Sequence, residues 1–153
     1  MNLMGIGPVL AIVGAISAVI VIVLQLAFGI GIHLTSSLME IVRVFGIVLI
    51  ATGVYFWLSS AMLVLRAFKA HRLETAGVFG LSRNPLYAAF IVFIIPGIGF
   101  VTNNLLILLI SVAMFATFKM RIGKEEEFLE KEFGDQFRQY VREVSQLIPF
   151  LNA

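Results

Sequence analysis

The sequence predicts an all-α integral membrane protein, with about four transmembrane helices followed by a C-terminal amphipathic helix on the cytoplasmic side. Three observations carry this. Hydrophobic residues are 60% of the 153 and charged residues only 13%, against roughly 45–50% and about 25% in soluble domains. Mean hydropathy is +1.03. Of the 20 charged residues, 13 lie at or after Lys119, so a nearly uncharged body precedes an amphipathic tail. We expect one membrane domain over 1–153, with spans near 6–30, 41–66, 85–100 and 104–118 and a helical tail over 119–148.

Charge and composition exclude several classes. The net charge of +2 comes from Lys and Arg beside apolar spans, where the positive-inside rule places them, so nucleic acid is not an expected partner. Cysteine is absent, which removes disulfides, thiolate metal sites and a cysteine nucleophile. His33 and His71 are far apart in sequence, and no metal site is expected.

The first apolar run, Leu3 to Ile32, has no basic flank and is about twice the length of a signal-peptide core, so it reads as a retained span. Gly5, Gly7 and Pro8 mark its start. Gln25 is its strongly polar interior residue, suited to a hydrogen bond with a neighbouring helix. Gly14, Ala15 and Ala18 suit close helix packing. Ser36 or Ser37 is placed to cap the second helix. Glu40 and Arg43 are spaced to pair at i,i+3. The basic stretch Arg66 to Arg72 marks the cytoplasmic end of that span, with His71 as an interfacial histidine.

Between the second and third apolar blocks lies Gly77-Val-Phe-Gly-Leu-Ser-Arg-Asn-Pro-Leu-Tyr87. Asn84 is a good N-cap and Pro85 is favoured at the first helical position. Gly77 and Gly80 let backbone approach a ligand closely. Arg83 stands at the mouth of a helix N-terminus, where it suits either an anionic ligand or a lipid head group. The third and fourth blocks form a tight hairpin. Pro96-Gly-Ile-Gly and Val101-Thr-Asn-Asn104 interrupt them, and Asn103 or Asn104 is expected to cap the fourth helix.

In the tail, Ile122, Leu129, Phe133, Phe137, Tyr140 or Val141, and Val144 recur at helical spacing, with a bend or break expected at Gly134. Glu126 falls within that apolar stripe and Glu125 on its edge, whereas Glu127 and Glu130 are displaced outward towards Lys124 and Lys131. A carboxylate on a buried face requires a cation. Arg83, Arg121 or a cationic ligand are the candidates.

Together these segments carry a recognisable order: Arg83-Asn-Pro-Leu-Tyr87, a hydrophobic hairpin, then Glu125-Glu-x-x-Leu129-x-x-x-Phe133-Gly134-x-x-Phe137-x-x-Tyr140, ending at Pro149. This resembles the isoprenylcysteine carboxyl methyltransferase family and the related phospholipid methyltransferases, over roughly Leu73 to Pro149, with this chain as a prokaryotic-type member. Asn84 replaces the histidine of the eukaryotic motif. Ala88 and Ala89 stand where many members have glycine, and Phe137 replaces a tyrosine. The resemblance implies methyl transfer from S-adenosylmethionine at the cytoplasmic membrane. Arg83 before the hairpin and Lys119 and Arg121 after it lead us to expect a multi-pass protein with both termini cytoplasmic.

The cofactor-binding set it implies is Arg83, Asn84, Pro85, Leu86, Tyr87, Glu125 and Glu126, with Arg83 and Glu126 as the catalytic pair. A glutamate would take the cofactor amine, and Arg83 or the N–H groups of Asn84 to Leu86 its carboxylate. Phe79, Leu81 and Tyr87 would wall the adenine. The implied partners are membrane lipids and a lipophilic or lipid acceptor, foremost an isoprenyl-thiol carboxylate. A phospholipid or other amine acceptor is the second reading, and a non-catalytic scaffold of the same fold the third.

Overall fold

A computed structural model describes residues 5–29, 31–33, 36–70 and 72–149, without the side chains of 36, 37 and 68–70. The expected Ser36 or Ser37 cap and His71 lie outside the described side chains. Among the described residues the protein is all helix and turn. We label the helices α1 (Gly7–Phe28), α2 (Ser36–Ala70), α3 (Pro85–Val101), α4 (Leu108–Phe133) and α5 (Asp135–Glu143). Short 3₁₀ turns precede two of them, Gly77–Gly80 before α3 and Leu105–Ile107 before α4.

Among the described residues, three helical stretches are long and apolar enough to cross a membrane: α1, Leu38–Ala67 within α2, and Leu105–Phe133, which is α4 with its leading turn. α3 is shorter, 17 residues or about 25 Å at 1.5 Å per residue. Unlike the expected interruption, it runs straight through Pro96-Gly-Ile-Gly. Proline lacks an N–H, and its ring crowds the carbonyl four residues back. The chain relieves this just upstream with a wide turn over Ala89–Ile94, where the Ile95 N–H bonds to the Phe90 carbonyl. Helices of this wider pitch are rare and recur near functional sites.

The helices pack in an order that leaves one end for a site. α2 lies along α3, α1 lies along α4, and α3 and α4 join the two pairs. At one end the α1–α2 and α3–α4 connections meet. There Leu105 N–H donates to Ile32 O (3.0 Å) and the His33 ring to Asn103 O (2.6 Å). Asn103 is left-handed at φ 53°. The expected Asn104 cap is not made by its side chain. At the opposite end lie the start of α1, the end of α2, the start of α3 and the charged half of α4.

The fourth span and the tail helix are not separate elements. α4 continues unbroken from the apolar core through Lys119 and the glutamates to Phe133. Helix hydrogen bonding is indifferent to the change from apolar to charged side chains, and Lys, Glu, Phe and Leu all sustain it. The chain breaks at Gly134, as expected, with φ 53° and ψ −126°. α5 then folds back, burying Phe137 and Tyr140 while Val141 stays exposed.

The core of the α1–α3–α4 group centres on Leu10, Tyr87, Ala88, Ile91, Phe118 and Ile122. The expected Glu40–Arg43 pair forms at 3.8 Å. Gln25 makes no interhelical hydrogen bond among the described residues; the adjoining turn instead uses its carbonyl, which accepts from Gly29.

Candidate functional site

The segment Ser82–Tyr87 stands over a cleft of about 640 Å³ between the ends of the helices. All seven residues expected to bind a cofactor line it: Arg83, Asn84, Pro85, Leu86, Tyr87, Glu125 and Glu126. Gly7, Pro8 and Ala11 of α1 and Val64 and Ala67 of α2 add apolar wall. Phe79 is there as well. Leu81 is not: it is exposed, and its carbonyl accepts from Ser145 Oγ at 3.1 Å.

Arg83 is the buried cation of the site, its side chain 10% exposed. Its Nη2 lies 3.3 Å from Glu126 Oε1, which makes it the cation that Glu126 requires. Among the described residues its Nε and Nη1 are buried with no partner. Leaving buried donors of a charged group unmade is expensive, so this guanidinium has the capacity and the incentive to take a further acceptor. An anionic ligand group in the cleft fits that need.

Glu125 has different surroundings. Its Oε2 accepts from Ile6 N–H (3.4 Å) and Tyr87 O–H (3.3 Å), and no cation pairs with it among the described residues. α1 begins Gly5-Ile-Gly-Pro, with no capping side chain of its own, so Glu125 from α4 serves as its remote cap. A carboxylate suits the positive end of a helix. Gly5 has φ 45°, and a Cβ there would meet the carboxylate at 2.8 Å. Glu127 and Glu130 are turned outward, as the projection indicated. They pair with Lys131 (2.7 Å) and Arg138 (2.8 Å).

The expected cap by Asn84 is corrected. It occupies the N-cap position, but its side chain makes no cap bond. Its Nδ2 donates instead to Gln146 O at 2.9 Å. The Gln146 carbonyl, rather than the N–H groups of the first turn, thus fixes the Asn84 side chain.

That bond belongs to a strap the sequence did not disclose. Arg83 N–H donates to Ser145 O (2.8 Å) and Ser82 Oγ to Leu147 O (2.9 Å). Tyr140 O–H donates to Phe79 O at 2.7 Å. Burial, above all, pushes the Tyr140 hydroxyl above its ordinary pKa, with Arg83 opposing and Glu74 adding to the shift. Tyr140 therefore remains a donor through the physiological range. Glu74, also on the cleft, pairs with Arg72 (3.2 Å) and accepts from Ala76 N–H (3.1 Å). Neither Glu74 nor Gln146 stands out in the sequence, because neither falls in a periodic pattern.

Comparison with known proteins adds kinship to this geometry. The family model described as phospholipid methyltransferase matches residues 7–136. Protein-S-isoprenylcysteine O-methyltransferase A of Arabidopsis thaliana is 28% identical over 117 residues, covering 71% of this chain and 59% of that protein. The B protein of the same plant is 29% identical over 91 residues, 60% of this chain and 46% of its own length. Protein-S-isoprenylcysteine O-methyltransferase of Schizosaccharomyces pombe is 32% identical over 83 residues, 54% of this chain and 35% of that protein. The chain thus spans about half the length of the plant relatives it matches. The resemblance carried by Arg83–Tyr87 and the Glu125–Tyr140 spacing is borne out at the level of family.

Proposed function

The chain belongs to the phospholipid methyltransferase family, and on that footing we propose that it is a membrane-embedded S-adenosylmethionine-dependent methyltransferase. The cleft over Pro85–Tyr87 is its site, at the cytoplasmic face of the cell membrane, with both termini on that side. The observation that carries this reading is Arg83, buried against the cleft with two donor atoms that have no partner among the described residues. It stands beside two carboxylates, one of which has no cation among the described residues.

That donor set fits the cofactor, which is an amino acid at one end. When bound, S-adenosylmethionine supplies a methyl group activated by a positive sulfur. Glu125 is the better placed glutamate for the amine, because Glu126 is already neutralised by Arg83. Arg83 has Nε and Nη1 without partners among the described residues, on different edges of the guanidinium, and either can donate to an oxygen of the carboxylate. Phe79 and the Tyr87 ring give apolar surface for a flat base.

The acceptor we favour is the carboxylate of a lipophilic, isoprenyl-thiol-like molecule, the chemistry that the names of the relatives describe. A carboxylate is ionised at neutral pH and needs no general base. The protein's work is then to hold the nucleophile in line and to exclude water from it. The apolar wall from Pro8, Ala11, Val64 and Ala67 suits a hydrocarbon tail arriving from the bilayer. The description of the matched family favours a second reading, methylation of a phospholipid amine. An amine must first lose its proton, and Glu125 or Glu126 would be the base.

Transfer of labelled methyl from S-adenosylmethionine to an S-farnesyl-thiol carboxylic acid tests the first reading. The expected product is a base-labile methyl ester, formed at a rate flat through the pKa range of amines. Base-stable label on phosphatidylethanolamine, with a rate rising through the amine pKa, would replace it with the second.

A further inference from the structure

We infer that Gln146 is a positioning residue for this site, holding Glu126 so that Arg83 keeps donors free for the ligand. The inference rests on the functional reading above. The Gln146 amide has one productive orientation. Its Oε1 accepts from Lys119 Nζ at 2.7 Å, and its Nε2 donates to Glu126 Oε1 at 3.0 Å. Lysine can only donate and a carboxylate only accept, so the amide cannot be reversed without losing both bonds. The backbone of Gln146 is fixed as well, since its carbonyl takes Asn84 Nδ2 (2.9 Å) and its neighbours bond to Ser82 and Arg83.

Glu126 Oε1 thus accepts one hydrogen bond, from Gln146 Nε2, and makes a longer ion-pair contact with Arg83 Nη2 at 3.3 Å. Glu126 Oε2 has no partner among the described residues. An arginine and a carboxylate left to themselves close into a bidentate fork. Here the amide holds the carboxylate to a single contact, and Nε and Nη1 stay unsatisfied. Without the amide, Glu126 would swing onto the guanidinium and consume donors the ligand needs. Gln146 therefore acts through Glu126 and touches no reacting atom.

The test is calorimetric binding of S-adenosylhomocysteine to the full-length protein in detergent. Gln146→Met, close in shape but unable to hydrogen-bond, should weaken binding about tenfold, the usual scale for a lost bond to a charged group. KM for the cofactor should rise by a similar factor with kcat less affected. In a Glu126→Gln background the same change should add little, because the amide's target is gone. Gln146→Glu keeps Lys119 as a partner and so protects the fold. It should bind more weakly still, having placed a like charge beside Glu126. Wild-type affinity in either variant, or full additivity with Glu126→Gln, would overturn the inference while leaving the functional reading intact. A wild-type protein that takes up no S-adenosylhomocysteine would overturn both.

Discussion

Arg83 is the residue on which the local electrostatics turn. It is a buried cation with one carboxylate contact of 3.3 Å and two unmade donors. Arg83→Lys keeps the charge but loses the planar fork. It should still fold, and S-adenosylhomocysteine binding by calorimetry should fall at least tenfold. Glu126→Gln removes the buried cation's partner, and stripping one side of a buried pair costs on the order of 3 kcal/mol. A clear drop in the unfolding midpoint in detergent is expected. Glu125→Gln should weaken ligand binding with little change in that midpoint, and Glu130→Gln, on the solvated face, should change neither. The sequence made these glutamates legible because helical projection separates stripe from edge. It did not say which one Arg83 neutralises, since that depends on how α4 turns against the loop. Nor did it reveal the use of Asn84. A good capping residue gives no sign that a carbonyl from position 146 will claim its side chain.

The elements meet at glycines, and two of these give sharp contrasts. Gly46 on α2 faces α3, where a Cβ would lie 2.8 Å from the Gly97 carbonyl oxygen. Backbone cannot move aside, so Gly46→Ala should destabilise by about 1–3 kcal/mol. Gly14 on α1 would meet the Met114 sulfur at 3.0 Å. A flexible thioether yields, and Gly14→Ala should be nearly neutral by thermal unfolding in detergent. Gly134 has open space around it, yet φ 53° and ψ −126° are poorly accessible to any side chain. Gly134→Ala should cost about 1–3 kcal/mol through the backbone alone, and faster proteolysis between α4 and α5 would report it. The break at Gly134 was readable because a glycine punctuates a helical pattern. The continuity of α4 was not, because the onset of charge at Lys119 looks like a boundary while the backbone ignores it. Gly14 was singled out for packing, yet Gly46, Gly53 and Gly97 sit closer to their neighbours than Gly14 does, with Cβ contacts of 2.8, 2.6 and 2.7 Å, and only the pairing of α2 with α3 defines them.

At the scale of the whole molecule, helix classes and their order follow from hydropathy, and the site's two halves follow from motif spacing. Up-and-down packing returns α4 to the end where α3 begins, bringing Glu125 to Tyr87. What hydropathy could not supply is the strap over 145–147, an irregular stretch whose partners in the loop before α3, Leu81, Ser82 and Asn84, lie more than 60 residues away. Pairing over that separation leaves no local pattern to read. The central claim is that these parts, drawn from both ends of the chain, form one pocket for S-adenosylmethionine. The most direct measurement is a titration of the purified wild-type protein with S-adenosylhomocysteine by calorimetry, run beside Arg83→Lys. Saturable one-site binding by the wild type, weakened at least tenfold in the variant, is the predicted result. No heat of binding at millimolar ligand, or equal affinity in the two proteins, would contradict it.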